Sequence, residues 1–186
     1  MFDSRSTTLR KLAVAACAVL LAGCATAPPA PLARLGLKLS PAALGETVSV
    51  QQHLIVERGG RIDELDAIVE IDAQQVQMVG LAFGMRVLSL NYDGKELTSW
   101  RHMMLPKQVR AEDVLEDIQL SMWPAETIAR SLPPGWRIAD AGLRRTLYLN
   151  DAVVATVNYS AMPRWSGTVT LDNLRYAYKL TIQTAP

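Results

Sequence analysis

The sequence predicts a mainly β, α+β domain: a curved antiparallel sheet with helices packed on its concave face. Two observations predict it, and a third places the domain behind a sorting segment. Apolar and polar residues alternate with period two through two long runs, as they do in strands that bury one face. Between those runs, Val114, Leu115, Ile118 and Met122 recur at helical spacing. Ahead of both, a short apolar segment ends in Leu21-Ala22-Gly23-Cys24, the order of a bacterial lipoprotein cleavage site.

The N-terminal segment comes first. Arg5, Arg10 and Lys11 form a basic start, and residues 12–21 are uncharged and apolar, the layout of a secretory signal. A retained membrane helix is the weaker reading, because spanning needs about 20 apolar residues and prolines follow. An ordinary signal peptide favours an Ala-x-Ala-like end, which leaves a Cys after Leu-Ala-Gly unexplained. Residues 1–23 are therefore expected to be removed and Cys24 to be lipidated. Two or three acyl chains, each buried methylene contributing about 0.8 kcal/mol, hold a protein at a membrane. The residue after Cys24 is Ala25 rather than Asp, so the expected address is the periplasmic face of the outer membrane.

Residues 25–31 read Ala-Thr-Ala-Pro-Pro-Ala-Pro, an extended polyproline-like spacer. Residues 24–40 are assigned to the lipidated Cys and its tether, and 41–186 to one folded domain that begins between Leu35 and Pro41. Cys17 lies in the signal, so the mature chain has no second cysteine for a disulfide or a metal. The whole chain carries 19 basic and 18 acidic residues; without Arg5, Arg10, Lys11 and Asp3, 16 basic residues face 17 acidic ones. That balance argues against nucleic acid as a partner.

Strands follow in order. Val48, Val50, Leu54 and Val56 share one face, and Gly59-Gly60 turns the chain. Leu65, Ala67, Val69 and Ile71 repeat the pattern, then Val76, Met78 and Gly80. Residues 87–92 run into Asp93-Gly94, a hairpin signal, and 96–101 return. Ala111–Met122 is helical, with Glu112 and Asp113 suited to its first turn. Pro124 opens a second short helix through Leu132, which Pro133-Pro134-Gly135 ends. Strand patterns resume over 145–149, 153–159, 165–171 and 174–182.

The stretch Val79-Gly80-Leu81-Ala82-Phe83-Gly84-Met85-Arg86-Val87-Leu88-Ser89-Leu90, followed by Asp93-Gly94, resembles the segment of the LolB outer-membrane lipoprotein receptor in which an apolar residue and Gly connect two strands. Leu105-Pro106, the helix from Ala111 and residues 132–136 look like that family's helical lid. Residues 51–57, Trp123-Pro124-Ala125, Pro163-Arg164-Trp165, Leu171-Asp172-Asn173 and Arg175-Tyr176 are similar, over nearly all of the mature chain, to an uncharacterised bacterial lipoprotein family (DUF 3261) considered LolA/LolB-like. The resemblance implies an unclosed half-barrel with a helical lid around a hydrophobic cavity that accepts acyl chains. It also implies cargo such as an aryl polyene lipid, and a periplasmic carrier protein as a partner. In LolB an apolar residue before the loop Gly protrudes and helps to pass lipoprotein into the membrane. Phe83 before Gly84 holds that position here, with Phe in place of Leu and Ala82 where Pro is usual.

Met78, Met85, Met103, Met104 and Met122, with Trp100 and Trp123, suit an adaptable acyl pocket, since Met fills irregular gaps and Trp offers broad apolar area. Ordinary core packing is the alternative for each of them. Phe83 joins them as a loop residue, or else packs inside its strand connection.

Catalytic chemistry finds little support, and no enzyme, cofactor or metal is expected. The two histidines, His53 and His102, have no ligand spacing. Ser49, His53 and Asp66 could be assembled into a triad, but nothing resembles a nucleophile elbow. Glu112, Asp113, Glu116 and Asp117 read as a solvated, capping helix start. The leading expectation is a membrane-anchored protein that binds or transfers a hydrophobic, lipid-like ligand. A structural lipoprotein that docks another envelope protein is the alternative, and a hydrolase comes third.

Overall fold

The computed structural model describes residues 34–186; the signal at 1–23, Cys24 and the Pro-rich spacer lie outside the described residues. Ten strands are formed: β1 (Val48–Arg58), β2 (Arg61–Ile71), β3 (Val76–Ala82), β4 (Met85–Tyr92), β5 (Leu97–Arg101), β6 (Trp136–Ala141), β7 (Arg144–Leu149), β8 (Ala152–Tyr159), β9 (Thr168–Asn173) and β10 (Tyr178–Thr184). They make one antiparallel sheet in the order β5-β4-β3-β2-β1-β10-β9-β8-β7-β6. The first and last strands meet at its centre, where His53 stands opposite Gln183 and Leu54 opposite Ile182. The sheet is not closed: β5 and β6 are its two edges.

Period-two alternation sorts the side chains onto two faces. Leu54, Val69, Met78, Leu90, Leu147, Val157, Leu171 and Ile182 are all buried and belong to one core cluster on the inner face. Across this face lies α1 (Ala111–Met122), followed by the single turn α2 (Ala125–Ala129). Leu115, Leu120 and Met122 anchor α1 in the core. The carbonyls at a helix C-terminus need donors from elsewhere, and the far half of the sheet supplies them. The Arg145 guanidinium donates to the Leu120 carbonyl at 2.6 Å, and the Tyr159 hydroxyl to that of Ser121 at 2.7 Å. Fully buried Arg145 is held in turn by both oxygens of Asp140 at 2.8 and 2.9 Å. Arg164 adds a third bond to Asp140 at 2.8 Å. Asp140 is kept below its usual range because these two arginines outweigh its partial burial.

Residues 34–40, expected as the end of the tether, belong instead to the folded domain. Leu37 and Leu39 are buried in the core. The Leu39 N–H donates to the Gln119 amide oxygen, and the Gln119 amide nitrogen donates to the Leu39 carbonyl, both at 3.0 Å. Trp123 then donates its indole N–H to the Ser40 carbonyl at 3.1 Å. A strap thus runs along α1 before the 3-10 turn Pro41–Leu44.

Several boundaries differ from expectation. β2 begins four residues before Leu65, because Arg61 to Glu64 extend the hairpin with β1 beyond the core, where alternation carries no apolar signal. The sequence pattern gives no signal for strand β6. Residues 174–177 form a turn, with Ala177 at φ 51°, rather than the start of the last strand. The second helix ends at Ala129 instead of continuing to Leu132.

Antiparallel pairing also collects the chain's tips. The β1–β2 turn, the Phe83-Gly84 turn, the end of β5, the turn at Asn150-Asp151 and the 174–177 turn all lie at one end of the sheet, here called the rim. Among the described residues, no helix is long and apolar enough to cross a membrane.

Candidate functional site: an apolar cavity under the helix

Between α1 and the inner face of β1–β4 and β10 is a cavity of about 160 Å³. Its floor follows from strand parity: Leu54 and Val56 from β1, Leu65 and Val69 from β2, Met78 from β3, Leu88 from β4, and Leu180 and Ile182 from β10. Its roof is Leu105, Val109, Val114, Ile118 and Met122. Small residues keep space beneath α1. Gly80 pairs with Ala67 and Leu88 on this face, and a Cβ at Gly80 would come within 3.2 Å of Leu65 Cδ1. The register shift after Gly80 bends β3 at the same point.

Toward the rim the lining changes to charge. Arg34, Arg58, Asp63, Arg110, Asp113 and Asp117 all border the cavity there. Arg34 is held by the acidic face of α1, at 3.4 Å from Asp113, 3.7 Å from Glu116 and 3.5 Å from Asp117. Its guanidinium also lies over the Tyr176 ring, 4.3 Å from the centroid. The Tyr178 hydroxyl donates to Asp117 at 2.6 Å and accepts from Arg34 and Asn173, each at 3.2 Å. The acidic helix start is therefore largely an ion-pairing face that locks the strap down, not a solvated one; Glu116 is buried and also accepts the Gly36 N–H. Burial pushes the Asp117 carboxyl up to about 7, against the opposing effects of Tyr178 and Arg34. Burial, reinforced by the charge of Asp117, raises the Tyr178 phenol as well.

Of the eight residues expected at a cavity or loop, Met78 and Met122 line this cavity. Trp123 does not: it is fully buried beneath the strap, and its indole bond to Ser40 makes it a core residue. Trp100 faces the other side of the sheet, beneath the Arg86 guanidinium at 4.6 Å. There it borders a shallower outer-face hollow of about 420 Å³, whose lining mixes Glu70, Gln77, Asn91 and Thr98 with Ile68, Val79 and Leu90. The cavity under α1 is the deeper and more apolar of the two and so the better match to the character of ligand sites, which are concave and mostly apolar.

Phe83, Met85, Met103 and Met104 are all exposed, and all lie at the rim. Phe83 is 94% exposed and takes φ 53° in a two-residue turn with Gly84 at φ 72°. Positive φ at both positions marks the hairpin turn that favours Asn-Gly, so a Phe there contradicts local preference. Met103 is 93% exposed, in the segment after β5 that the Arg101 side chain ties to the Leu105 carbonyl. Ile62 and Leu174 extend the same apolar fringe.

On the outer face, His53 lies 2.9 Å from Asp66 and 3.5 Å from Glu64. The Asp66 hydrogen bond, with both carboxylate charges, raises its pKa. Ser49 sits four residues away along the same strand, roughly 13 Å at strand rise, so no triad is assembled. Among the described residues, no three His, Cys, Asp or Glu side chains gather as a metal site. Strand parity in the sequence already puts Tyr178 in line with Leu180 and Ile182, and Arg58 in line with Leu54 and Val56, but no sequence signal marks Arg34.

Residues 49–186 match the family model described as a protein of unknown function (DUF3261). The chain belongs to this family. The match takes in the strands, save the first residue of β1, with α1, α2, the Phe83 turn and the cavity lining other than Arg34; the strap lies ahead of it. No curated protein matches the chain.

Proposed function

We propose that this DUF3261 protein is an outer-membrane-anchored lipoprotein, LolA/LolB-like in fold, that binds or transfers a hydrophobic, lipid-like ligand. The observation that carries this reading is the apolar cavity between α1 and the sheet, open to the rim through charged residues. Helix α1 and residues 102–110 act as a lid. Among the described residues, two hydrogen bonds tie that connecting segment to the sheet, from the His102 N–H to the Val87 carbonyl at 2.8 Å and from the Arg101 side chain to the Leu105 carbonyl. The cavity of about 160 Å³ is smaller than ordinary ligand pockets of roughly 300 Å³ and above, so entry of an acyl chain swings this segment outward.

The rim supports the membrane half of the proposal. The strap begins at Arg34 beside Tyr176 and Tyr178, at the same end as Phe83, Met85, Met103, Met104, Ile62 and Leu174. A lipid on Cys24, ten residues before Arg34, would hold that fringe against the bilayer. Phe83 and the methionines would then enter the interface, and the cavity would discharge into it. The cargo would be a lipoprotein's acyl chains or a lipid-linked product such as an aryl polyene lipid, delivered by a periplasmic carrier protein. No chemistry is required of the chain.

The modest cavity volume favours a second reading, in which side chains fill the space and the domain docks another envelope protein. Mass spectrometry of organic extracts from detergent-free protein separates the two. The transfer reading predicts a stoichiometric amphiphile; empty extracts would support docking.

A further inference from the structure

Three arginines and three aspartates line the cavity, but they do not pair one to one. Each of its carboxylates has a basic partner: Asp63 with Arg61 at 3.7 Å, and Asp113 and Asp117 with Arg34 at 3.4 and 3.5 Å. Two of its arginines are likewise matched, Arg34 by that acidic face and Arg110 by Glu112 at 3.5 Å. Arg58 is the exception. Among the described residues it has no carboxylate within ion-pair distance, and its Nε is buried with no hydrogen-bond partner.

Its position is nonetheless defined. Strand parity turns Arg58 to the inner face, one step rimward of Leu54 and Val56, and its guanidinium lies 4.7 Å from the centre of the Tyr178 ring. Stacking occupies the flat face of a guanidinium. The in-plane N–H fork, the part that pairs bidentately with carboxylate or phosphate, stays free. An unpaired buried donor is costly, and a bound oxyanion would remove the cost.

We propose that Arg58 receives the anionic head of an amphiphile, a carboxylate or a phosphate, while its apolar tail lies in the cavity under α1. The inference rests on the lipid-binding reading above and narrows it to an anionic head. The space of about 160 Å³ takes the first part of the tail, and the rest enters as residues 102–110 swing outward.

The test uses the full chain with Cys24→Ser, which alters no described residue, titrated calorimetrically with decanoate, decyl phosphate and decanol. At least one anionic ligand should bind ten-fold or more tighter than decanol. Arg58→Met, which keeps a flexible apolar stem beside Tyr178, should bring that ligand to the level of decanol, and Arg58→Lys should restore part of the difference. Preference for decanoate identifies a carboxylate head, and preference for decyl phosphate a phosphate head. Equal affinity for all three, unchanged in Arg58→Met, would overturn the headgroup assignment and leave the apolar cavity reading standing. Binding of none of them would overturn both. Unfolding midpoints of the variants, measured alongside, exclude loss of fold as the cause.

Discussion

Replacing Phe83 by Asn should make the protein more stable and less able to engage a membrane. Phe83 occupies the first position of a two-residue turn at φ 53° and is 94% exposed. Its ring has almost no packing to lose. A side chain such as Phe in the left-handed region costs roughly 1–2 kcal/mol, whereas Asn visits it readily and is favoured before Gly in this turn. Phe83→Asn is therefore expected to gain about 1 kcal/mol, a rise of about 2–4 °C in the melting midpoint for a domain of this size. The same change removes a ring whose burial in lipid is worth roughly 1.5–3 kcal/mol. Association of the Cys24→Ser chain with phospholipid vesicles, measured by co-sedimentation, should weaken about ten-fold or more. A lower melting midpoint would show that Phe83 packs within its connection. A higher midpoint with unchanged vesicle binding would remove Phe83 from the membrane interface.

Other perturbations address the frame around the cavity. Arg145→Met strands the Leu120 carbonyl and part of Asp140, and breaking such a buried pair costs about 3–5 kcal/mol; urea unfolding that shifts by less than 1 kcal/mol would mean that α1 is held elsewhere. Asp117, raised to about 7 from 3.8, keeps in the folded state a proton that the unfolded chain releases between those values. Stability should therefore be highest at the acid end of that window and fall as pH rises through 7. Asp117→Asn should flatten this slope in melting curves recorded from pH 4 to 8, and an unaltered slope would assign it to other groups. His53 should titrate above its ordinary 6.5 by NMR, and Asp66→Asn should bring it back toward that value; no difference between the two proteins would contradict the pairing. Trp123→Phe removes the donor to Ser40 and should cost about 1–2 kcal/mol, with little change in ligand affinity because the indole lies outside the cavity lining.

Alternation revealed the sheet because its strands bury one face against α1 and leave the other polar. β1 to β4 follow the pattern where they cross the core. β6 escaped notice because its Trp136 and Ile138 are only half buried, and Ala139, Asp140 and Ala141 carry no apolar signal. Residues 174–177 read as strand because Leu174, Tyr176 and Tyr178 keep period two across a four-residue reversal, whereas Tyr176 lies in the turn with its ring beneath Arg34. Met78 and Met122 could be placed in a pocket by residue type. The charged end of the cavity could not, since Arg34, Arg58, Asp117 and Tyr178 are distant in sequence and meet only when β1 pairs with β10 beneath α1. Asp113 and Asp117 look like ordinary helix-start acids until the strap brings Arg34 against them.

The central claim is that the space under α1 is where a lipid-like ligand resides, and blocking it is the most direct test. Val56 lines the cavity near the rim end of β1, between Asp63 of β2 and Leu180 of β10. Val56→Trp suits a strand and fills the space. Amphiphile extracted per mole of folded protein, quantified by mass spectrometry for wild type and Val56→Trp, is predicted to be near one for the first and near zero for the second. Equal yields from both proteins, each folded by circular dichroism, would place the ligand elsewhere and contradict the account.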